Sequence, residues 1–135
     1  YEHGVLTDVH DELMRQVDGV LAAGVKPERI IIDPGLGFSK PSIEHNLPLL
    51  TGLETFRGTG YPVLIGQSRK RFISAMLTEA GAVGEDGPTM AQRDDVTAAL
   101  SALSAEHGAW AVRVHDVAKS HAAVIAGNIW RQYLS

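Results

Sequence analysis

Three short apolar runs alternate with stretches of helical periodicity, and that alternation restricts this chain more than any other property. The runs are Arg29-Ile30-Ile31-Ile32, Tyr61-Pro62-Val63-Leu64-Ile65-Gly66 and Ala109-Trp110-Ala111-Val112-Arg113-Val114. Each suits a strand rather than a helix, and the first, β-branched from Ile30 to Ile32, reads as buried on both faces. Between and around them the spacing predicts helices. One runs from Asp8 to Ala23, with Val9, Leu13, Val17, Val20 and Leu21 on its apolar stripe, capped by Thr7 or Asp8 and ended by Gly24. A second runs from about Ser42 to Phe56, made irregular by Pro48, and a third continues through Leu77. After a turn-rich loop from Gly81 to Thr89, Met90 to Glu106 forms a helix with Val96, Leu100 and Leu103 on one face. The last, Ala118 to Tyr133, has Val124, Ile125, Ile129 and Trp130 as its apolar side.

Repeated βα units imply a parallel sheet covered by its crossover helices, so the class is α/β and residues 1–135 make one domain. Three parallel strands fit either a small open sheet or part of a (β/α)8 TIM barrel, whose usual length is about 250 residues. The barrel is favoured because functional residues gather at the carboxyl ends of barrel strands, where every unusual polar cluster of this chain lies. The chain begins at Tyr1 and enters a helix with no strand before it, so it reads as a piece of such a barrel.

Composition removes several classes of function. With 12 Lys plus Arg against 16 Asp plus Glu the formal charge is −4, which argues against nucleic acid as the main partner. An apolar share of 44% rules out disorder as the main state. No apolar run approaches the roughly 20 residues of a membrane span and no signal peptide is visible, so the expected location is cytoplasmic, away from membranes. The absence of Cys excludes disulfides, thiolate metal sites and a Cys nucleophile. No Gly-rich nucleotide loop and no hydrolase serine motif occurs.

The chemistry is concentrated at the three strand ends. Asp33-Pro34-Gly35-Leu36-Gly37-Phe38-Ser39-Lys40 follows the first. Asp33 could accept two hydrogen bonds from an amidine-like heterocycle such as a 2-amino-4-oxo ring, or could simply cap a tight turn. Gly66-Gln67-Ser68-Arg69-Lys70-Arg71-Phe72 opens a helix with three consecutive cations, locally unfavourable at the positive end of the helix dipole unless an anion sits nearby. The alternative is a solvated basic patch. At the third end, strand alternation sends Arg113 and His115 to one face, where they suit a phosphate or diphosphate; the alternative is Arg113 paired with a carboxylate and a structural His115. The other histidines, His3, His10, His45, His107 and His121, share no metal-ligand spacing and read as surface or capping residues.

Taken in order, Asp33-Pro34-Gly35-x-Gly37-Phe38, Gly66-x-Ser68-Arg69-Lys70-Arg71-Phe72 and Arg113-Val114-His115-Asp116-Val117 resemble the dihydropteroate synthase family, in its actinobacterial style, across all 135 residues. The resemblance implies the C-terminal part of the barrel, from helix 5 through strand 8 and helix 8. It implies a transferase of folate biosynthesis, a sulfonamide target, that condenses 4-aminobenzoate with (7,8-dihydropterin-6-yl)methyl diphosphate to give 7,8-dihydropteroate and diphosphate. Carried over residue by residue, it implies that Asp33 binds the pterin ring and Lys70 contacts the pterin and the aminobenzoate pocket. Phe38 and Ser68 would line that pocket, with Gly66 and Arg69 beside it, and Arg113 and His115 would hold the diphosphate. Lys70, Arg113 and His115 are thus the implied catalytic residues.

The resemblance further implies that Mg²⁺ accompanies the diphosphate, its protein ligand lying in an N-terminal half and none within these residues. Homodimerisation through the late helices is implied as well. On that expectation these 135 residues alone carry little or no synthase activity. A pterin-binding paralogue without synthase activity and a methyltetrahydrofolate-binding methyltransferase domain are the alternatives within the same superfamily, although the Ser-Arg-Lys-Arg loop and Arg-Val-His-Asp strand favour the synthase.

Overall fold

Backbone hydrogen bonds draw the three apolar runs side by side in the parallel sense. In the computed structural model, which describes residues 1–37 and 42–134, Ile32 bridges Val63, and Leu64–Ile65 (β1) pairs with Ala111–Val112 (β2). Leu64 sits opposite Ala111 and Ile65 opposite Val112, so the runs lie in the order of the sequence. The rungs include the Ile32 N–H to the Pro62 carbonyl at 2.9 Å, the Leu64 N–H to the Ile32 carbonyl at 2.8 Å, Trp110 N–H to Val63 at 2.9 Å and Arg113 N–H to Ile65 at 2.8 Å.

The ladder is shorter than the three predicted strands. A 3₁₀ turn at Pro27–Arg29 spends the Ile30 N–H on the Pro27 carbonyl, and Pro62 has no N–H to give, so the first strand is reduced to the Ile32 bridge. The expectation that this strand is buried on both faces is also corrected. Ile30 and Ile32 enter the core while Ile31 is 48% exposed, because among the described residues helices cover only one side of the ladder.

The helices are α1 (Val5–Ala22), α2 (Ile43–Thr51), α3 (Leu53–Arg57), α4 (Arg71–Glu79), α5 (Met90–Glu106) and α6 (Val117–Gln132). The predicted caps of α1 are replaced: Gly4 is the N-cap, the helix begins before Thr7, and Asp8 sits in its first turn, where the dipole favours a carboxylate that accepts from the His3 backbone. The single helix expected from Ser42 to Phe56 is broken at Gly52, over which Leu6 of α1 packs so closely that a Cβ would lie 2.5 Å from its Cδ2. Ile30, Ile32, Val63 and Ile65 share a core with Leu49, Leu53, Phe56, Phe72 and Ile73. Each such fully buried side chain contributes about 1.5–3 kcal/mol.

Two helices bury faces that apolar periodicity does not identify. α5 turns Asp94, Thr97, Ser101, Ser104 and Ala105 inward along with Leu100, and leaves Leu103 56% exposed. α6 meets it through Ser120 and Gly127, leaving Ile125, Ile129 and Trp130 in solvent instead of forming the packed side. The cause is close approach: a Cβ on Gly127 would collide with the Ala102 carbonyl oxygen and reach within 3.0 Å of the Ala105 side chain. Ser101 and Ser120 hydroxyls then hydrogen-bond across the seam at 3.1 Å.

Gly127→Leu is therefore expected to lower the unfolding free energy by about 1–3 kcal/mol through overpacking. Gly19→Ala, in an open position on α1 with nothing within 4 Å of the added Cβ, is expected to raise it by about 0.5–1 kcal/mol. Urea melts with unchanged m-values check both; equal effects at the two sites would refute the close α5–α6 seam.

Candidate functional site

The β1–α4 turn is built around a residue in an unusual conformation. Arg69 has φ of +58°, a left-handed value costly for a side chain other than glycine, and α5 holds it there. Its guanidinium makes two parallel bonds to the Asp94 carboxylate, Nε to Oδ1 at 3.0 Å and Nη2 to Oδ2 at 3.1 Å, while its backbone N–H reaches Thr97 Oγ1 at 3.4 Å. Asp94 is held below the ordinary aspartate range, chiefly by the hydrogen bonds from Arg69 and against the opposing effect of burial. Arg69 is raised by the same hydrogen bonds. One of the three consecutive cations is thus answered by a carboxylate of the protein itself.

With Arg69 fixed, its neighbours turn towards the other two strand ends. Ser68, buried, lies 2.8 Å from His115 Nδ1 and accepts the His115 backbone N–H at 3.1 Å. Lys70 runs across Gly37 of the first strand-end loop, whose φ of +78° and lack of a Cβ let the lysine stem lie on its backbone; a Cβ there would be 2.8 Å from Lys70 Cδ. Gly66 performs the same service for Arg113, whose guanidinium occupies the space a Cβ would need. The Arg113 Nη1 then donates to Asp33 Oδ2 at 3.3 Å, and Asp33 Oδ1 accepts the Gly35 N–H at 2.9 Å.

Gly66, Ser68, Arg69, Lys70, Arg113, Val114 and His115 together line a cleft of about 600 Å³. Asp33 does not line this cleft; with Pro34 and Gly35 it borders a separate hollow formed mainly by Tyr1 and α1, and it reaches the cleft through its bond to Arg113. Phe38 lies outside the described residues. The turn-closing reading of Asp33 holds, since one oxygen accepts the Gly35 N–H, while the other meets Arg113. The turn and the pairing leave carboxylate lone pairs for a ring donor. β2 ends at Val112, so Arg113 and His115 stand in the loop beyond the strand and strand alternation does not govern them. Among the described residues, no group of three His, Cys, Asp or Glu side chains is placed to hold a metal ion. No helix there is long and apolar enough to cross a membrane.

Asp94 and Thr97 are supports that the strand-end motifs leave out, and Gln67 is a support that lies within the second motif without a role assigned from sequence. The signal for the first two is a polar stripe, Asp94, Thr97, Ser101 and Ser104, at helical spacing on a helix whose apolar pattern is weak. Gln67, fully buried, donates from Nε2 to Ser101 Oγ at 3.3 Å and so ties the basic turn to the same stripe. His107 is a capping residue, as expected, its Nδ1 2.9 Å from the Leu103 carbonyl at the end of α5. Asp116 caps α6 by accepting the Lys119 N–H at 3.1 Å.

The family described as pterin binding enzyme matches residues 1–115. The chain is similar to the dihydropteroate synthase of Mycobacterium leprae, 47% identical over 126 residues that cover 93% of this chain and 43% of that protein. It is 44% identical over 123 residues to the Streptococcus pyogenes dihydropteroate synthase, covering 90% and 42%. Among solved structures, the Xanthomonas albilineans dihydropteroate synthase in complex with 7,8-dihydropteroate aligns with a TM-score of 0.81 at 34% identity, covering 97% of this chain and 46% of that one. The Yersinia pestis dihydropteroate synthase with a sulfonamide drug complex aligns at 0.85 and 28%, covering 99% and 45%. The chain spans less than half the length of these relatives.

The depressed Asp94 acidity sets a pH dependence. A carboxyl whose folded value lies below its unfolded one adds stability that is complete above the unfolded value and is lost as pH falls through the folded one. In urea melts between about pH 5 and pH 2, Asp94→Asn is expected to lose less stability on acidification than the parent chain, while being the less stable of the two at neutral pH. Parallel pH slopes would contradict the pairing.

Proposed function

The chain belongs to the pterin binding enzyme family, and from that premise we propose that it is the C-terminal part of a (β/α)8 barrel in a dihydropteroate synthase. The observation that carries the proposal is the convergence of three separate strand ends: Lys70, Arg113 and His115 line one cleft, and Asp33 is bonded to the Arg113 of that cleft. The order of the parallel runs, with a helix after each, supports their place in a closed barrel.

In this reading the amine of 4-aminobenzoate attacks the methylene carbon of (7,8-dihydropterin-6-yl)methyl diphosphate. The carbon–oxygen bond to diphosphate breaks, and the amine gives up a proton to yield 7,8-dihydropteroate. Arg113 and His115 hold the departing diphosphate, and stabilising the charge that grows on it is the main contribution these residues make. Asp33 accepts from the pterin ring, and its bond to Arg113 sets the distance between ring site and anion site. Lys70 contacts the pterin, while Ser68 and Arg69, with Gly66 behind them and Phe38 from the first loop, border the aminobenzoate pocket.

Mg²⁺ would partner the diphosphate. The described residues do not by themselves make a site that fits it, so no step is assigned to it. The same reading puts the reaction in the cytoplasm, where a diphosphate ester, unable to cross membranes unaided, would remain once made. The exposed Ile125, Ile129 and Trp130 of α6 support self-association through the late helices.

Calorimetric titration with a non-reacting pterin diphosphate analogue tests the assignment. The parent chain is expected to bind. Asp33→Asn and Arg113→Ala should each weaken binding about tenfold or more, the cost of a charge-assisted hydrogen bond. Undiminished binding in both variants, with folding retained, would overturn it.

A further inference from the structure

Ser68 and His115 meet at the wall of the cleft in a geometry that restricts where the imidazole carries its proton. The hydroxyl accepts the His115 backbone N–H at 3.1 Å and lies 2.8 Å from Nδ1 of the same residue. A serine oxygen has one proton to give and two lone pairs. Two arrangements follow. Either Ser68 donates to Nδ1 and neutral His115 carries its proton on Nε2, or Nδ1–H donates to Ser68 and the serine proton must find another acceptor. Ser68 is 5% exposed and makes no other hydrogen bond among the described residues. The second arrangement therefore strands a buried donor, while the first satisfies every group in the pair.

We infer that Ser68 is a positioning residue that holds neutral His115 as the Nε2–H tautomer and so presents a hydrogen-bond donor to an anion in the cleft. His115 is exposed where Ser68 is buried, which leaves the Nε2 edge of the ring on the open side. That Nε2–H then donates to a diphosphate oxygen beside the Arg113 guanidinium. The assignment of the anion as diphosphate rests on the reading proposed above; the tautomer does not. Ser68 thereby acts on the anion through His115, in addition to bordering the pocket for the amine.

Long-range ¹H–¹⁵N spectra of the uniformly labelled chain, recorded above the histidine titration range, test the tautomer directly. His115 is expected to show an unprotonated Nδ1 and a protonated Nε2. Ser68→Ala should move it towards a mixture and Ser68→Thr, which keeps the hydroxyl, should restore it. A protonated Nδ1 in the parent chain overturns the inference whether or not the alanine variant folds, and so does an unchanged tautomer in folded Ser68→Ala.

Titration with inorganic diphosphate supplies the second readout. His115→Gln, whose amide nitrogen takes the Nε2 position, should stay within about threefold of the parent affinity, while His115→Asn, with its amide at the Nδ1 position, should lose about tenfold. Equal losses in the two overturn the donor role. An Nε2–H ring in a parent chain that binds no diphosphate would uphold the tautomer and overturn the diphosphate reading.

Discussion

The geometry of the cleft depends on one backbone conformation and the helix that enforces it. A non-glycine residue at φ of +58° costs about 1–3 kcal/mol and persists only where its surroundings demand it. Asp94 and Thr97 of α5 supply that demand, gripping both the side chain and the backbone of Arg69. Because Arg69 reverses the chain, Ser68 faces His115 on one side, Lys70 crosses Gly37 on the other, and α4 starts immediately after at Arg71. A run of three cations at a helix start is unfavourable in isolation. Here it is tolerated because the first cation is committed to α5.

The links that join the strand ends are long in sequence and weak one by one. Asp33 and Arg113 are 80 residues apart, Ser68 and His115 are 47 apart, and Arg69 and Asp94 are 25 apart. The Asp33–Arg113 pair is half exposed at 3.3 Å, a class of ion pair that contributes about 0–1 kcal/mol. Its value lies in placement, since it ties the first strand end to the guanidinium that lines the cleft. The core beneath, from Ile32 through Phe72, does the stabilising. Core side chains such as Ile32 and Ile65 thus lie directly before the candidate site residues Asp33 and Gly66 in the chain.

The alternation of strand and helix was legible in the sequence because apolar runs and turn residues are local signals, and the grouping of the strand-end motifs followed from it. The extent of the strands was not, because a rung exists only where both a free N–H and a carbonyl are offered; Pro62 lacks the N–H, and the turn at Pro27–Arg29 takes up that of Ile30. The inward faces of α5 and α6 escaped for a different reason. They bury serine, threonine, aspartate and glycine at close approach, and periodicity counted on apolar residues selects the outer face instead. At the site the motifs identified Gly66, Ser68, Arg69, Lys70, Arg113 and His115 as neighbours of one cleft. Their partner Asp94, on a distant helix, left only a polar stripe as its trace.

The affinity of the Asp94→Asn variant for inorganic diphosphate tests most directly whether the Arg69 clamp shapes the cleft. Removing a negative charge near an anion site strengthens binding if electrostatic sum alone matters. If Asp94 acts by holding the turn, the same substitution weakens binding, because Ser68, Lys70 and His115 lose their common orientation. The clamp predicts weaker binding by the variant than by the parent chain; equal or tighter binding would contradict it.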